Sequence, residues 1–160
     1  MSLDPGLIDR GFIDHRLIDP RGPRFGAALT TAVLAVVLLT GNAWLLAAQA
    51  AVFALGGLGR SPYALLFRRF IRPRLGPPAE LEHDGPPRFA QGVGLAFALL
   101  GLVGLLAGSN LLALVAVGAA FGAAFLNAAF GICLGCEVYL LARRSALVRP
   151  SATSRTEVSA

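Results

Sequence analysis

The sequence predicts an all-α membrane protein: four transmembrane helices in two parallel helical-hairpin repeats, with a short amphipathic interfacial helix in the central loop. Three observations carry this reading. The chain of 160 residues is 56% apolar and only 14% charged, outside the range of an ordinary soluble domain. The charges are segregated, for no Asp, Glu, Arg, Lys or His occurs from Phe25 to Gly59 or from Phe89 to Cys136. Each uncharged run exceeds the roughly 20 residues that one span requires. Each is also divided by a tight-turn sequence, Gly41-Asn42 in the first and Gly108-Ser109-Asn110 in the second.

The elements follow in order. Residues 1–18 repeat Leu7-Ile8-Asp9, Phe12-Ile13-Asp14 and Leu17-Ile18-Asp19 at a period of five, which suits neither helix nor strand, and read as a mobile extension. Four aspartates within residues 1–24 and no apolar core of signal-peptide length argue against a cleaved leader. The membrane domain is expected over 19–144. Its first two spans, Phe25 to Thr40 and Ala43 to Gly59, are short, about 25 Å each, and call for snorkelling by Arg24 and Arg60. Pro62 to Arg74 mixes Leu65, Leu66, Phe67, Phe70 and Ile71 with four arginines, the composition of a helix lying in the headgroup region. Pro73, Pro77, Pro78, Pro86 and Pro87 keep the rest of that connection irregular. The third span runs from Phe89 to about Ala107 and the fourth from Leu111. One helix from Leu111 to Leu141 would be about 46 Å long, so a break at Gly131 or Gly135 is expected. From Ser145 to Ala160 a Ser/Thr/Ala-rich tail reads as disordered.

Orientation comes from arginine, the only basic residue type apart from histidine. It occurs up to Arg24, between Arg60 and Arg88, and after Tyr139, and never in the two turns. The positive-inside bias then places both termini and the central loop in the cytoplasm. The net charge of +5 is accounted for by arginines that flank spans and touch anionic lipid. Nucleic acid is not an expected partner, since no aromatic-basic interleaving and no binding signature is present. Pro23-Arg24-Phe25 is answered by Pro87-Arg88-Phe89, and Asn42 by Asn110, as in a duplication of about 23–75 into about 87–144. Each unit holds an even number of spans, so the repeats are parallel. An alignment of Leu58–Leu65 with Leu134–Leu141 sets Cys133 and Cys136 where Gly57 and Arg60 stand.

Cys133 and Cys136 are the only cysteines, three apart in Gly-Ile-Cys-Leu-Gly-Cys-Glu. Positions i and i+3 of a helix share a face, with Cα atoms about 5 Å apart, so the pair can close a disulfide. It can also carry persulfide sulfur or supply half a metal site. Zinc wants four ligands, and His15 and His83 lie in unrelated segments, so no metal and no cofactor is expected. A reducing cytoplasm favours a cycling pair over a permanent bridge. Glu137 and the negative end of the fourth helix would quieten the thiols, whereas a break at Gly131 would put Cys133 at the start of a new helix that favours thiolate. Depth in the membrane makes Cys136 the more accessible attacker and Cys133 the resolving thiol, with Glu137, Tyr139 and Arg143 in support. Simple packing of both cysteines in a helix interface is the competing reading. Gln49 and Asn127 read as interhelical bridges, Trp44 as an interfacial anchor, and Gly118, Ala119, Gly122 and Ala123 as close-packing positions within the protein or between copies in a homo-oligomer.

Asp19-Pro20-Arg21-Gly22-Pro23-Arg24-Phe25, four spans and the ending Cys-Leu-Gly-Cys-Glu-Val-Tyr together resemble an uncharacterised, domain-of-unknown-function family of small bacterial integral membrane proteins, in its actinobacterial branch. The resemblance covers about residues 19–142. Members tend to be encoded beside thioredoxin-like proteins and sulfurtransferases, which implies thiol or sulfur chemistry. The expectation is therefore a protein of the inner membrane presenting a Cys133/Cys136 dithiol to such a soluble partner. The alternatives are a small permease for a sulfur compound, against which stands the lack of ionisable residues in the spans, and a structural subunit of a membrane complex. Whether the chain is itself an enzyme stays open on these residues.

Overall fold

The computed structural model describes residues 17–78 and 81–147. Six helices make up nearly all of it. They are α1 (Arg21–Thr40), α2 (Ala43–Gly57), α3 (Pro62–Leu66), α4 (Gly85–Leu106), α5 (Asn110–Phe130) and α6 (Leu134–Leu147). A π turn (Phe67–Ile71) and a 3₁₀ turn (Arg72–Arg74) extend α3. α1, α4 and α5 are each long and apolar enough to cross a membrane. α2 has 15 residues, about 22 Å, and reaches that length only together with Pro62–Arg74, from which it is bent by 77°.

The helices begin and end where local chemistry allows. Asp19 Oδ1 accepts the Arg21 N–H at 3.0 Å at the start of α1, and Asn42 Oδ1 accepts the Leu45 N–H at 3.1 Å at the start of α2. Prolines stand in the first turns of α1 and α4, where no intrahelical N–H is needed. For this reason α1 and α4 start at Arg21 and Gly85, ahead of the expected Phe25 and Phe89. An arginine marks the edge of an apolar span without ending a helix. The first span is thus 20 residues long and not short, and only the second is.

Left-handed glycines make the reversals. Gly41, Gly59, Gly108 and Gly131 have φ between 64° and 77°. The expected break near the cysteines falls at the last of these, with the Gly131 N–H returning to the Asn127 carbonyl at 3.0 Å. The up-down course brings the starts of α1 and α4 and the ends of α2 and α5 to one end of the bundle. α3 and α6 belong to that end too.

Packing centres on α4. α1 lies against α5, α2 against α4, and α4 against α5, around Leu34, Val37, Leu46, Ala50, Phe53, Ala98, Val117 and Ala120. Association of apolar helices relies on close approach of backbones. A Cβ on Gly101 would stand 2.6 Å from Val117 Cγ2, one on Gly104 2.6 Å from the Ala113 backbone nitrogen, and one on Gly94 2.9 Å from the Phe53 ring. Gly118 and Gly122, the expected packing glycines, have nothing within 4 Å, whereas Ala119 and Ala123 face a cleft. A buried polar chain ties α1, α2 and α3: the Tyr63 hydroxyl donates to Gln49 Oε1 at 2.8 Å, and Gln49 Nε2 donates to Thr30 Oγ1 at 3.3 Å.

Two segment boundaries differ from expectation. Leu17 and Ile18 pair antiparallel with His83 and Glu82, so the end of the N-terminal segment is held to the central connection. α6 continues through Ser145 to Leu147. The remaining pentads, residues 1–16, and the tail from 148 lie outside the described residues. Trp44 is 87% exposed directly after the first turn, as an interfacial anchor would be.

The glycine contacts predict opposite responses to one added methyl group. Gly104→Ala should lower stability by about 1–3 kcal/mol, because the neighbouring atom is backbone and cannot give way. Gly118→Ala should be neutral or stabilising by up to about 1 kcal/mol. Unfolding titrations in detergent would separate the two.

Candidate functional site

The site is built on the junction between α5 and α6. Gly131 turns the chain out of α5, Ile132 follows, and Cys133 stands directly before the first residue of α6, its carbonyl accepting the Glu137 N–H at 3.0 Å. Cys133 is therefore the N-cap residue and Cys136 the third residue of the helix. Their Cα atoms are 5.2 Å apart and their sulfurs are joined in a disulfide. Both are half-buried. Two opposed fields meet here, the negative end of α5 and the positive end of α6, with three residues between them.

Gly135, between the cysteines, has a separate task. A Cβ there would lie 2.7 Å from Ala90 Cβ and 2.8 Å from Ala90 Cα. It is the point at which α6 crosses α4, and no side chain fits. The motif C-x-G-C thus combines two sulfurs on one helical turn with one contact that seats the turn on α4.

The supporting residues divide. Glu137 is exposed on the first turn of α6, where a carboxylate suits the helix dipole and opposes a neighbouring thiolate. Tyr139 is turned onto α4, its ring 5.6 Å from that of Phe89, and the Arg143 guanidinium carbon stands 5.8 Å from the Tyr139 ring centroid. Tyr139 thus anchors α6 and is only partly offered to the outside, while Arg143 lies exposed beside its ring. Among the described residues no group of three or more His, Cys, Asp or Glu gathers in one place.

Arginines at the same end pack on helix termini. A Cβ on Gly131 would be 3.6 Å from the Arg24 guanidinium carbon, and one on Gly59 would be 3.6 Å from that of Arg88. Arg88 Nε also donates to the Gly57 carbonyl at 3.1 Å, and its Nη1 lies 3.8 Å from Asp84 Oδ2. Arg24 was legible only as a span flank. The pairing of Arg24 with Gly131 is a tertiary contact that no local pattern announces.

Beside α6 a cleft of about 350 Å³ opens among α1, α2, α4 and α5. Leu134, Gly135 and Val138 form its α6 wall, and Thr30, Gln91 and Asn127 are its polar residues. Neither cysteine and no ionisable side chain lines it.

The model of a family described as Domain of unknown function (DUF4395) matches residues 18–144. The chain belongs to the DUF4395 family. The match takes in every helix described above except the last residues of α6, and so contains both cysteines. No curated protein and no solved structure matches the chain.

The Gly135 contact generates a further expectation. Gly135→Ala should destabilise the seating of α6 by about 1–3 kcal/mol. Ala90→Gly should recover part of that loss, because it removes one of the two close atoms. A double-mutant cycle followed by limited proteolysis near Arg143 measures the coupling.

Proposed function

We propose that this DUF4395 protein is a multi-pass protein of the bacterial inner membrane, with both termini cytoplasmic, that exchanges electrons or sulfane sulfur through Cys133 and Cys136 with a soluble thioredoxin-like or sulfurtransferase partner. The observation that carries the reading is the placement of both sulfurs, half-exposed and within bonding reach, on the first turn of a helix. The arginine-rich end of the bundle supports the orientation.

The cap position favours Cys133 as the attacking thiol, in place of the order that depth alone suggests. An N-cap sulfur lies nearest the unpaired N–H groups of the first turn, which lower a thiol's pKa. In electron exchange the Cys133 thiolate attacks one sulfur of a partner disulfide and expels the other as thiolate. Cys136, deprotonated, then attacks Cys133 Sγ, closing the internal bridge and releasing the partner as a dithiol. In sulfur transfer Cys133 attacks the outer sulfur of a partner persulfide and becomes a persulfide while the partner leaves as a thiol. Attack by Cys136 on Cys133 Sγ then expels hydrosulfide and forms the same bridge.

The two hairpins read as parallel repeats in a pairing that tertiary contacts support. Arg24 packs on Gly131 and Arg88 on Gly59, Gly26 meets Tyr63 as Ala90 meets Gly135, and Phe25 meets Phe67 as Phe89 meets Tyr139. This register pairs Gly59 with Gly131, four residues from the alignment by sequence. It sets Cys133 and Cys136 opposite Ser61 and Ala64, which themselves form an N-cap pair with Ala64 N–H donating to Ser61 Oγ at 3.4 Å. The dithiol would thus be a chemical replacement of a helix cap. The cleft among the helices favours a second reading, a small permease for an uncharged sulfur compound.

Thiol trapping in intact cells tests the leading reading. Wild type should hold both thiols free under reducing conditions and bridge them after mild oxidant. Cys136→Ser should accumulate a mixed disulfide or persulfide on Cys133, identified by mass spectrometry. Thiols that stay unreactive until detergent denaturation, with a double serine variant indistinguishable from wild type, would return the cysteines to a packing role. Accessibility mapping should find Arg74 on the cytoplasmic side and Asn42 and Asn110 on the other, and Asn110 facing the cytoplasm would overturn the orientation.

A further inference from the structure

We propose that Arg24 is the positioning residue that sets the reactivity of Cys133, an inference that rests on the dithiol reading above. Two fields meet at the α5–α6 junction. The last carbonyls of α5 present about half a negative charge, and the first N–H groups of α6 about half a positive one. Cys133 stands between them, so its thiolate gains from α6 only as far as the end of α5 is offset. The cation that the fold brings to the end of α5 comes from another helix. Arg24, on the first turn of α1, lays its guanidinium against Gly131, with carbon, Nε and a terminal nitrogen 3.6, 3.7 and 3.9 Å from where a Cβ would be. Gly131 is in the left-handed conformation, with φ 73°, and its lack of a side chain leaves that face of the turn open to the guanidinium.

The comparison with Arg88 separates a structural contact from an available charge. Arg88 makes the matching contact at Gly59, but it is occupied by the Gly57 carbonyl and Asp84. Arg24 makes no hydrogen bond and no ion pair among the described residues. Its charge is therefore free to act on the junction. The other charged groups on the helices around the junction are few. α6 contributes Glu137, which opposes a thiolate from an exposed position, Tyr139 and Arg143, which are paired with each other, and Arg144 in its last turn. α4 contributes Arg88 with Asp84, α1 contributes Arg21, which reaches to the Gly76 carbonyl, and α5 contributes no ionisable group. Arg24 offsets the α5 terminus, and so leaves the α6 terminus to stabilise the sulfur.

The test uses full-length protein reduced in phosphatidylcholine nanodiscs, in a Cys136→Ser background so that only Cys133 reports. Iodoacetamide alkylation is followed from about pH 5 to about pH 10, across the thiol range. Arg24→Gln should raise the midpoint by about one pH unit, and Arg24→Lys should restore most of it. Arg88→Gln should leave the midpoint where it was. An Arg24→Gln midpoint equal to that of the parent, with Cys133 alkylated in both, overturns the role of Arg24 and leaves the dithiol reading standing. Failure of Cys133 to react in the folded parent overturns the dithiol reading and this inference together. If Arg24→Gln does not insert, the parent alone decides. Raising salt from about 20 mM to about 500 mM should raise its midpoint by screening the exposed guanidinium, and an unchanged midpoint overturns the proposal.

Discussion

Internal satisfaction of backbone polar groups governs this fold. Helices as apolar as α4 and α5 must satisfy their own N–H and C=O groups, and any break has to supply replacements. The chain does so at glycines in the left-handed conformation. Gly41 N–H returns to the Val37 carbonyl at 2.8 Å, Ser109 N–H to Gly104 at 2.8 Å, Arg60 N–H to Leu55 at 2.8 Å, and Gly131 N–H to Asn127 at 3.0 Å. A residue with a Cβ would be strained at each of these turns. Hairpin lengths, the single polar-rich end and the start of α6 all follow from where these four glycines fall.

The same requirement produces the candidate site. A helix that stops in a left-handed glycine must be followed by a new direction, and here a new helix begins three residues on. Its N-cap position needs a side chain able to interact with the first turn. At the end of α2 that side chain is the Ser61 hydroxyl, and at the end of α5 it is a sulfur bonded to another sulfur at the third helical position. The cysteine pair occupies the start of a helix, with little room on the side facing α4. Ala90 and Gly135 limit that side so closely that α6 has one seat on α4.

Charge adds a second layer. The arginines at the cytoplasm-facing end proposed for this protein do different jobs even where their sequence settings match. Arg88 is bonded to a carbonyl and a carboxylate, Arg143 lies over an aromatic ring, and Arg24 rests on a bare glycine. Flanking arginines read together as lipid contacts therefore differ in what each one touches.

Composition, charge segregation and turn residues by themselves determined the all-helical class, the presence of several helices long and apolar enough to span a membrane, the two turns and the break near Gly131. These are local or additive properties, because the length of an apolar run and the presence of a glycine do not depend on what lies across the molecule. The pairing of two cysteines three apart was legible for the same reason. Tertiary structure alone decided which glycines are packed. Gly101 and Gly104 touch α5 while Gly118 and Gly122 face open space, though all four sit in similar apolar sequence. It also decided that Leu17 and Ile18 pair with the central connection, and that Arg24 meets Gly131. Each of these depends on contact between segments far apart in the chain. A single sequence carries the capacity for such contacts in its residue types, but the partner is chosen only when the helices pack.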